Sequence, residues 1–335
     1  MSLMSPDVET LRAALSLANR APSLHNSQPW SWRVGPHSVH LYVDRSLRLE
    51  HADPDSRNLV VSCGAALNHC VIALAALGWQ PKIHRFPNPA DDCHLASLEL
   101  HRHTPTDADI ALAAAIPRRR TDRRHFSSWP VSLSDVALMG ARAARYGVTM
   151  RRAEVSTAFK ASLAKAVWQH TADPAYLDEL AFWSGHHGLA TGVPARNIFD
   201  SDPSAPVPSR LFAGPALHQS DAPADDNGIL LALGTRDDDE LGRLRAGEAT
   251  SVVTLTATAL GLASCPVSEP LEIPAIRDEL QADVFGAEVF PQMLLRIGWA
   301  PVGADPLPAT PRRPVDEVVR WLDGSKLEEG SDSRM

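Results

Sequence analysis

Apolar positions recur along the chain at two periods, and the period assigns the elements. Residues 6–20 place Leu11, Leu15 and Ala18 at helical spacing, with Asp7 and Glu9 suited to a first turn; the helix stops before Pro22. Trp30–Val34 and Ser38–Val43 alternate as two strands joined by a Gly35-Pro36 turn. Residues 59–78 are apolar on all sides, which predicts a buried helix, and strands follow near 80–86 and 94–101. Helices are predicted over 107–115 and 132–145, the latter capped by Ser132 or Ser134. A strand over 148–153 and helices over about 156–170 and 175–185 come next. A strand at 228–234, a long helix at 239–262, a loop at 263–269, a helix at 273–281 and a strand at about 292–298 complete the pattern. The last ten or so residues are polar and predict disorder.

Residues 188–226 carry Pro, Gly, Ser and Asp with little periodicity. A loop of that length in a compact domain is commonly a lid or an insert, and Phe199, Leu211 and Phe212 supply apolar anchors that favour a lid. Small residues mark both long helices. Gly64-Ala65-Ala66 to Ala76-Leu77-Gly78 aligns without gaps to Gly247-Glu248-Ala249 to Ala259-Leu260-Gly261. This repeat predicts two related halves packed about a pseudo-twofold axis, with the thin helices crossing at the centre. The alternative is two unrelated alanine-rich core helices. The predicted organisation is a first half at 1–106, a second half at 107–315 holding the 188–226 insert, and a C-terminal helix with a disordered tail at 316–335.

Composition narrows the class. The 335 residues are 44% apolar, enough for a sizeable core, and the formal charge is −8. An acidic balance argues against nucleic acid and anionic membranes as partners. No apolar run is read as approaching the roughly 20 residues of a membrane span, and the N-terminus lacks an export pattern. Cys63, Cys70, Cys93 and Cys265 form no C-x-x-C pair, so reduced thiols and a cytoplasmic setting are expected, with no zinc site.

Against that background the run Arg118-Arg119-Arg120-Thr121-Asp122-Arg123-Arg124 stands out. Five arginines in seven residues of an acidic chain read as a local anion site, since a guanidinium offers a planar fork of donors to a phosphate. The bland alternative is a solvated charge run. Competing chemistry is thin: there is no G-x-S-x-G, P-loop, G-x-G-x-x-G or H-E-x-x-H. Ser162 and Lys165 match S-x-x-K without supporting motifs and read as incidental. His101 with His103, or His186-His187, are the only metal-ligand candidates considered; without carboxylate or cysteine spacing they read as ordinary histidines.

Three motifs carry a resemblance. Ala21-Pro22-Ser23-x-x-Asn26-x-Gln28-Pro29-Trp30 resembles the A-P-S-x-x-N-x-Q-P-W loop of the FMN-dependent nitroreductase family. The run about Arg120-Thr121-Asp122-Arg123 resembles that family's R-R-S-x-R phosphate motif, with Phe126 one residue later than the family spacing. Ala259-Leu260-Gly261-Leu262-Ala263-Ser264-Cys265-Pro266 resembles its A-L-G-L-G-S-C helix end. The resemblance covers most of residues 20–315. The loop precedes the arginine motif here, the reverse of the usual order, which is similar to the fused, single-chain Acg-like branch of actinobacteria.

The resemblance implies an α+β nitroreductase-like fold, two halves in one chain forming a pseudo-dimer around central helices, with one FMN. Arg120, Thr121 and Arg123 would hold its phosphate with Arg124 nearby, and Arg312 and Arg313 would add to that contact. Ser23, Leu24 and Asn26 would reach across from the first half toward the ribityl chain and ring, and backbone amides at Val267, Ser268 and Glu269 would face the flavin. No catalytic side chain and no metal is implied, because the flavin carries the redox chemistry. The implied activity is NAD(P)H-dependent reduction of nitro compounds or quinones by ping-pong hydride transfer, in a monomer or a homodimer of it. The alternative is an FMN-binding or flavin-sequestering protein whose lid leaves little turnover. A third reading is a homologue that binds no flavin.

Overall fold

The computed structural model describes residues 5–185, 189–199, 207, 210–217 and 226–327. The chain opens with α1 (Val8–Ala18), whose first turn is capped by the Asp7 carboxylate accepting from Thr10 N. The hairpin β1 (Trp30–Val34) and β2 (Ser38–Val43) precedes the long helix α2 (Arg57–Ala76), followed by β3 (Trp79–Arg85) and β4 (His94–Arg102). Next, α3 (Asp107–Ala115) leads through the arginine run to α4 (Leu133–Ala144), capped by Ser132, one of the two serines expected there. The succession then recurs with an interruption: β5 (Thr149–Ala153), α5 (Thr157–Thr171), α6 (Pro174–Phe182), β6 (Ile229–Thr235), α7 (Glu240–Ala259), β7 (Ala263–Val267), α8 (Pro274–Val284) and β8 (Phe290–Gly298). At the C-terminal end lie α9 (Val315–Val318) and β9 (Val319–Trp321).

The two sheets have one topology. Strand order is β3-β4-β2-β1-β9 in the first and β5-β6-β8-β7 in the second. Read from the strand after each long helix, β3-β4-β2-β1 matches β7-β8-β6-β5, and every neighbouring pair in these fours is antiparallel. The two long helices also end alike. Gly78 and Gly261 lie at φ 86° and 84°, the left-handed conformation that closes a helix and that glycine adopts without steric cost.

Between the sheets α2 and α7 cross at the first glycine of each repeat. A β-carbon on Gly64 would lie 2.0 Å from Leu244 O, and one on Gly247 would lie 2.0 Å from Val61 O. Leu244 is the repeat counterpart of Val61, so the contact is reciprocal, as an axis between like surfaces requires. One turn further along, Ser251 Oγ donates to Asn68 Oδ1 at 2.7 Å, joining a second pair of counterparts across the same offset of 183 residues. The His69 ring meets the same Ser251 hydroxyl at 2.8 Å. Asn68 and Ser251 thus satisfy each other across the crossing, while His69 Nε2 stays buried without a partner.

Several expectations change. Helix α2 has 20 residues and a mean hydropathy of 1.9, long and apolar enough by those measures to cross a membrane. Because 89% of that window is buried inside the fold, it is a core helix, and small residues had masked its reach. The segment expected as a loop at 263–269 is largely β7, paired to β8 from Ala263 to Val267. The C-terminal helix is only four residues long, and β9 after it pairs in parallel with β1. Three residues are too few to show a period. The interruption between β5 and β6 is also longer than 188–226: it begins after Ala153 and includes α5 and α6, where the first half has only the Gly35-Pro36 turn. The predicted disordered tail at 328–335, His186-His187, and 200–206, 208–209 and 218–225 of the insert lie outside the described residues.

The crossing predicts that Gly64→Ala or Gly247→Ala forces the helices apart. Each should lower unfolding free energy by about 1–3 kcal/mol or more, the range for overpacking a tight interior. Gly303→Ala, which meets nothing within 4 Å, is the control for adding a methyl group alone, although its φ of 74° adds strain. Urea unfolding of all three would check this, and a Gly64 variant as stable as the parent would contradict the crossing.

Candidate functional site

A cleft enclosing about 960 Å³, its open mouth included, runs between the two halves. One wall is the loop at 22–25 with Asn58, Ser62 and Ala65 of α2, and the opposite wall is the stretch 265–269 with Thr121 and Arg123. The loop owes its shape to its own polar side chains. Ser23 Oγ accepts from Gln28 N at 3.0 Å, and Leu24 N donates to Ser62 Oγ at 3.2 Å. Asn26 Nδ2 donates to the carbonyls of Gly192 and Pro311, and Gln28 Nε2 to Ala190 O. His25, Asn26 and Gln28 all take positive φ. The motif is therefore a rigid shelf tied to the insert and to the C-terminal segment.

At one end the cleft adjoins two smaller spaces lined by Arg119, Arg120, Thr121 and Arg312, one of them also by Arg20. No Asp or Glu is among the described residues lining either. Arg119 is 6% exposed, and its Nε and Nη1 are buried without a partner, as is Nε of Arg312. Arg120 and Arg312 donate to backbone carbonyls, including Leu307 O and Ala21 O. Burial first, and then the neighbouring guanidiniums, hold Arg119 and Arg312 below the ordinary arginine value. Like charges gathered without counter-charge, with donors left over, are what an anion such as a phosphate satisfies. The strand β7 fixes the run: Thr121 bridges to Ser264 in parallel, and Asp122 N donates to Ser264 O at 2.9 Å.

The structure sorts the sequence candidates. It brings together Ser23, Leu24, Thr121, Arg123, Val267, Ser268 and Glu269 along the cleft, and Asn26, Arg120 and Arg312 at the basic end. Arg124 and Arg313 are turned elsewhere. Both Nε and Nη2 of Arg124 donate to the Asp122 carboxylate, at 2.9 and 2.7 Å. Arg313 N donates to Gln28 Oε1, and its guanidinium faces Glu317 at 3.8 Å. Arg123 lies over the Phe212 ring, 4.7 Å from its centroid, on the cleft side of the basic cluster.

Sequence reasoning missed Arg20, Arg119, His25 and Arg210 as site residues, and named Phe212 only as an apolar anchor of the predicted lid. Arg119 lay inside the flagged run, and Arg20 directly before the loop motif. Arg210 comes from the insert, where nothing local marks it. Arg210 is buried, pairs with Glu272 and donates to Tyr176 OH, while Phe212 packs edge-on to His25 at 5.9 Å. Glu269 is held by His170 Nδ1 at 3.2 Å.

One side of the pseudo-axis has this cleft and the other is filled. Ala65 and Ser268 line the cleft; their counterparts across the same offset are Glu248 and Arg85. These form a two-pronged ion pair at 2.8 Å and 2.8 Å, with the Glu248 side chain fully buried. The remaining motifs are structural. Ser162 and Lys165 both bond Glu279, His101 faces Glu99, and His103 faces Asp109. Among the described residues the one metal-type cluster is Asp91, Asp92 and Cys93, none of which lines the cleft.

No family model matches the chain. It is 59% identical over 323 residues to a Mycobacterium tuberculosis H37Rv protein named "Putative NAD(P)H nitroreductase Rv3131", covering 96% of this chain and 94% of that one. It is 36% identical to "Putative NAD(P)H nitroreductase acg" of the same strain, covering 92% and 95%. Among solved structures, an FMN-bound nitroreductase of Desulfitobacterium hafniense superposes with a TM-score of 0.40 at 12% identity, covering 63% of this chain and 98% of that one.

The basic end predicts opposite effects of one substitution. Inorganic phosphate at about a hundredfold above its Kd should stabilise the ligand-free protein by about 2.7 kcal/mol. In Arg119→Met that gain should shrink, while stability without phosphate at low salt holds or rises, because a buried charge among like charges is gone. Arg124→Ala should keep the phosphate gain. Thermal melts with and without phosphate read both, and an undiminished gain in Arg119→Met would place the anion elsewhere.

Proposed function

The chain belongs to the nitroreductase family, and from that premise we propose that it is an FMN-binding, NAD(P)H-dependent oxidoreductase reducing nitro compounds or quinones. The observation that carries this is the acid-free cluster of Arg119, Arg120 and Arg312 opening onto the cleft. Its orphaned guanidinium donors fit a phosphomonoester, and the cleft beside it is wide enough for a planar ring. When bound there, FMN would supply the redox chemistry, accepting hydride from NAD(P)H and returning it to the acceptor.

The residues divide the remaining work. Arg119, Arg120, Thr121 and Arg312 would hold the phosphate, with Arg20 adding positive charge. Arg124 and Arg313 act as braces, one on Asp122 and the other on Gln28. Ser23 and Leu24 from the first half (1–106) and the 267–269 backbone from the second (107–315) would enclose the ring. Partly buried Arg123 favours electron density arriving in the cleft, by the same electrostatics that stabilise any developing negative charge. Both walls come from one chain, so the site needs no second copy to complete it. The four free thiols fit a reducing, cytoplasmic setting.

A second reading, flavin sequestration with little turnover, is favoured by one observation. Arg210 and Phe212 of the insert line the cleft itself, where a nicotinamide would have to approach.

The visible spectrum of the purified protein, followed by anaerobic NADH and then NADPH, tests both readings. A yellow protein bleached by either nucleotide and reoxidised by a quinone or nitroaromatic supports the oxidoreductase. A yellow protein reduced only by dithionite supports sequestration, and Phe212→Ala should then gain nucleotide-dependent bleaching. A protein that takes up no FMN contradicts both.

A further inference from the structure

The loop after α1 holds one side chain that the protein itself leaves unsatisfied. His25 is 4% exposed, and neither Nδ1 nor Nε2 has a hydrogen-bond partner. Its backbone is left-handed at φ 47°, where glycine would avoid the penalty of a β-carbon. A buried unsatisfied imidazole on a strained backbone is doubly unfavourable, and apolar packing alone would be better served by another residue. The ring also has a defined place. It borders both the cleft and a basic space, as do Pro22, Ser23, Thr121 and Arg123, so it stands at the neck between them.

We propose that His25 is a ligand-positioning residue whose imidazole hydrogen-bonds the polyhydroxylated middle of the molecule anchored at Arg119, Arg120 and Arg312. The proposal rests on the FMN reading of this cleft. A molecule with its phosphate in the basic pocket and its ring in the cleft must pass the neck with its ribityl chain. Burial, and then Arg210, Arg123 and His170, push His25 well below the ordinary histidine range, so the ring is neutral. Neutral imidazole offers one donor and one acceptor, as does a hydroxyl, whereas a phosphate offers acceptors alone. The neighbouring Asn26 is committed to the carbonyls of Gly192 and Pro311. The unpartnered Asn58 Nδ2 borders the cleft but not the basic space, so at the neck it is His25 that has both ring nitrogens free for the chain. Phe212, edge-on at 76°, steadies the ring plane.

The test uses the full chain, stripped of flavin and titrated by flavin fluorescence with FMN and with lumiflavin, which keeps the ring but lacks hydroxyls and phosphate. His25→Leu should raise the FMN dissociation constant about tenfold, the scale of one or two lost hydrogen bonds, and leave that of lumiflavin within about twofold. His25→Asn tolerates left-handed backbone and keeps a donor and an acceptor, so it should remain close to the parent. Flavin-free His25→Leu should melt no earlier than the parent, because the lost imidazole had no protein partner. Unchanged FMN affinity in His25→Leu, or equal weakening of FMN and lumiflavin, would overturn the assignment. A parent protein that binds no FMN would instead remove the reading of the cleft, and the proposal with it.

Discussion

Everything in this fold is placed by the close approach of α2 and α7. At Gly64 and Gly247 each helix backbone fills the space where the other's β-carbon would be. That approach lets one sheet pack on each side of the pair, and it lets Asn68 and Ser251 satisfy each other in an interior where an unpaired polar group would be costly. Because the contact is reciprocal, it also sets the axis that relates the two sheets. The cleft lies beside this axis, with Ala65 of α2 and Thr250 of α7 in its walls.

Duplication would supply two clefts, and at the counterpart of this one an ion pair takes the space. Small residues, Ala65 and Ser268, line the open side, while the matching positions on the other side carry Glu248 and Arg85. A buried ion pair is weak evidence for stability, since desolvation offsets much of its attraction. It is good evidence for occupied space, because both partners must be present and packed. The same divergence fills the β5–β6 connection with α5, α6 and the segment that puts Arg210 and Phe212 into the cleft. One half thus carries most of the basic cluster and the insert, and the other lends Arg20 and the shelf at 22–28.

The electrostatics of the basic end explain why its arginines differ from those beside them. Arg124 has the Asp122 carboxylate and is neutralised locally. Arg119 and Arg312 have one another as neighbours and backbone carbonyls at best, so their charge is available to a ligand. Proximity in sequence says nothing about this division. The same irregular run points the Arg124 guanidinium at a carboxylate and that of Arg119 into an acid-free pocket.

Much was legible in advance for a physical reason: helix and strand periods, caps and glycine stops are encoded by neighbours within a turn or two. Ser132 capped α4 as its position implied, and the repeat that paired Gly64 with Gly247 identified the two residues that meet. The shelf and the arginine run were visible as motifs. The strand β9 was not, because three residues have no period and its partner β1 lies nearly three hundred residues away. By itself, then, the sequence determined most of the elements, the crossing point and a dense run of arginines in an acidic chain. Only the tertiary structure decided which arginines gather in the acid-free pocket, that His25 goes unpartnered and that the insert enters the cleft. Desolvation and charge pairing act through space, between residues that the chain keeps far apart.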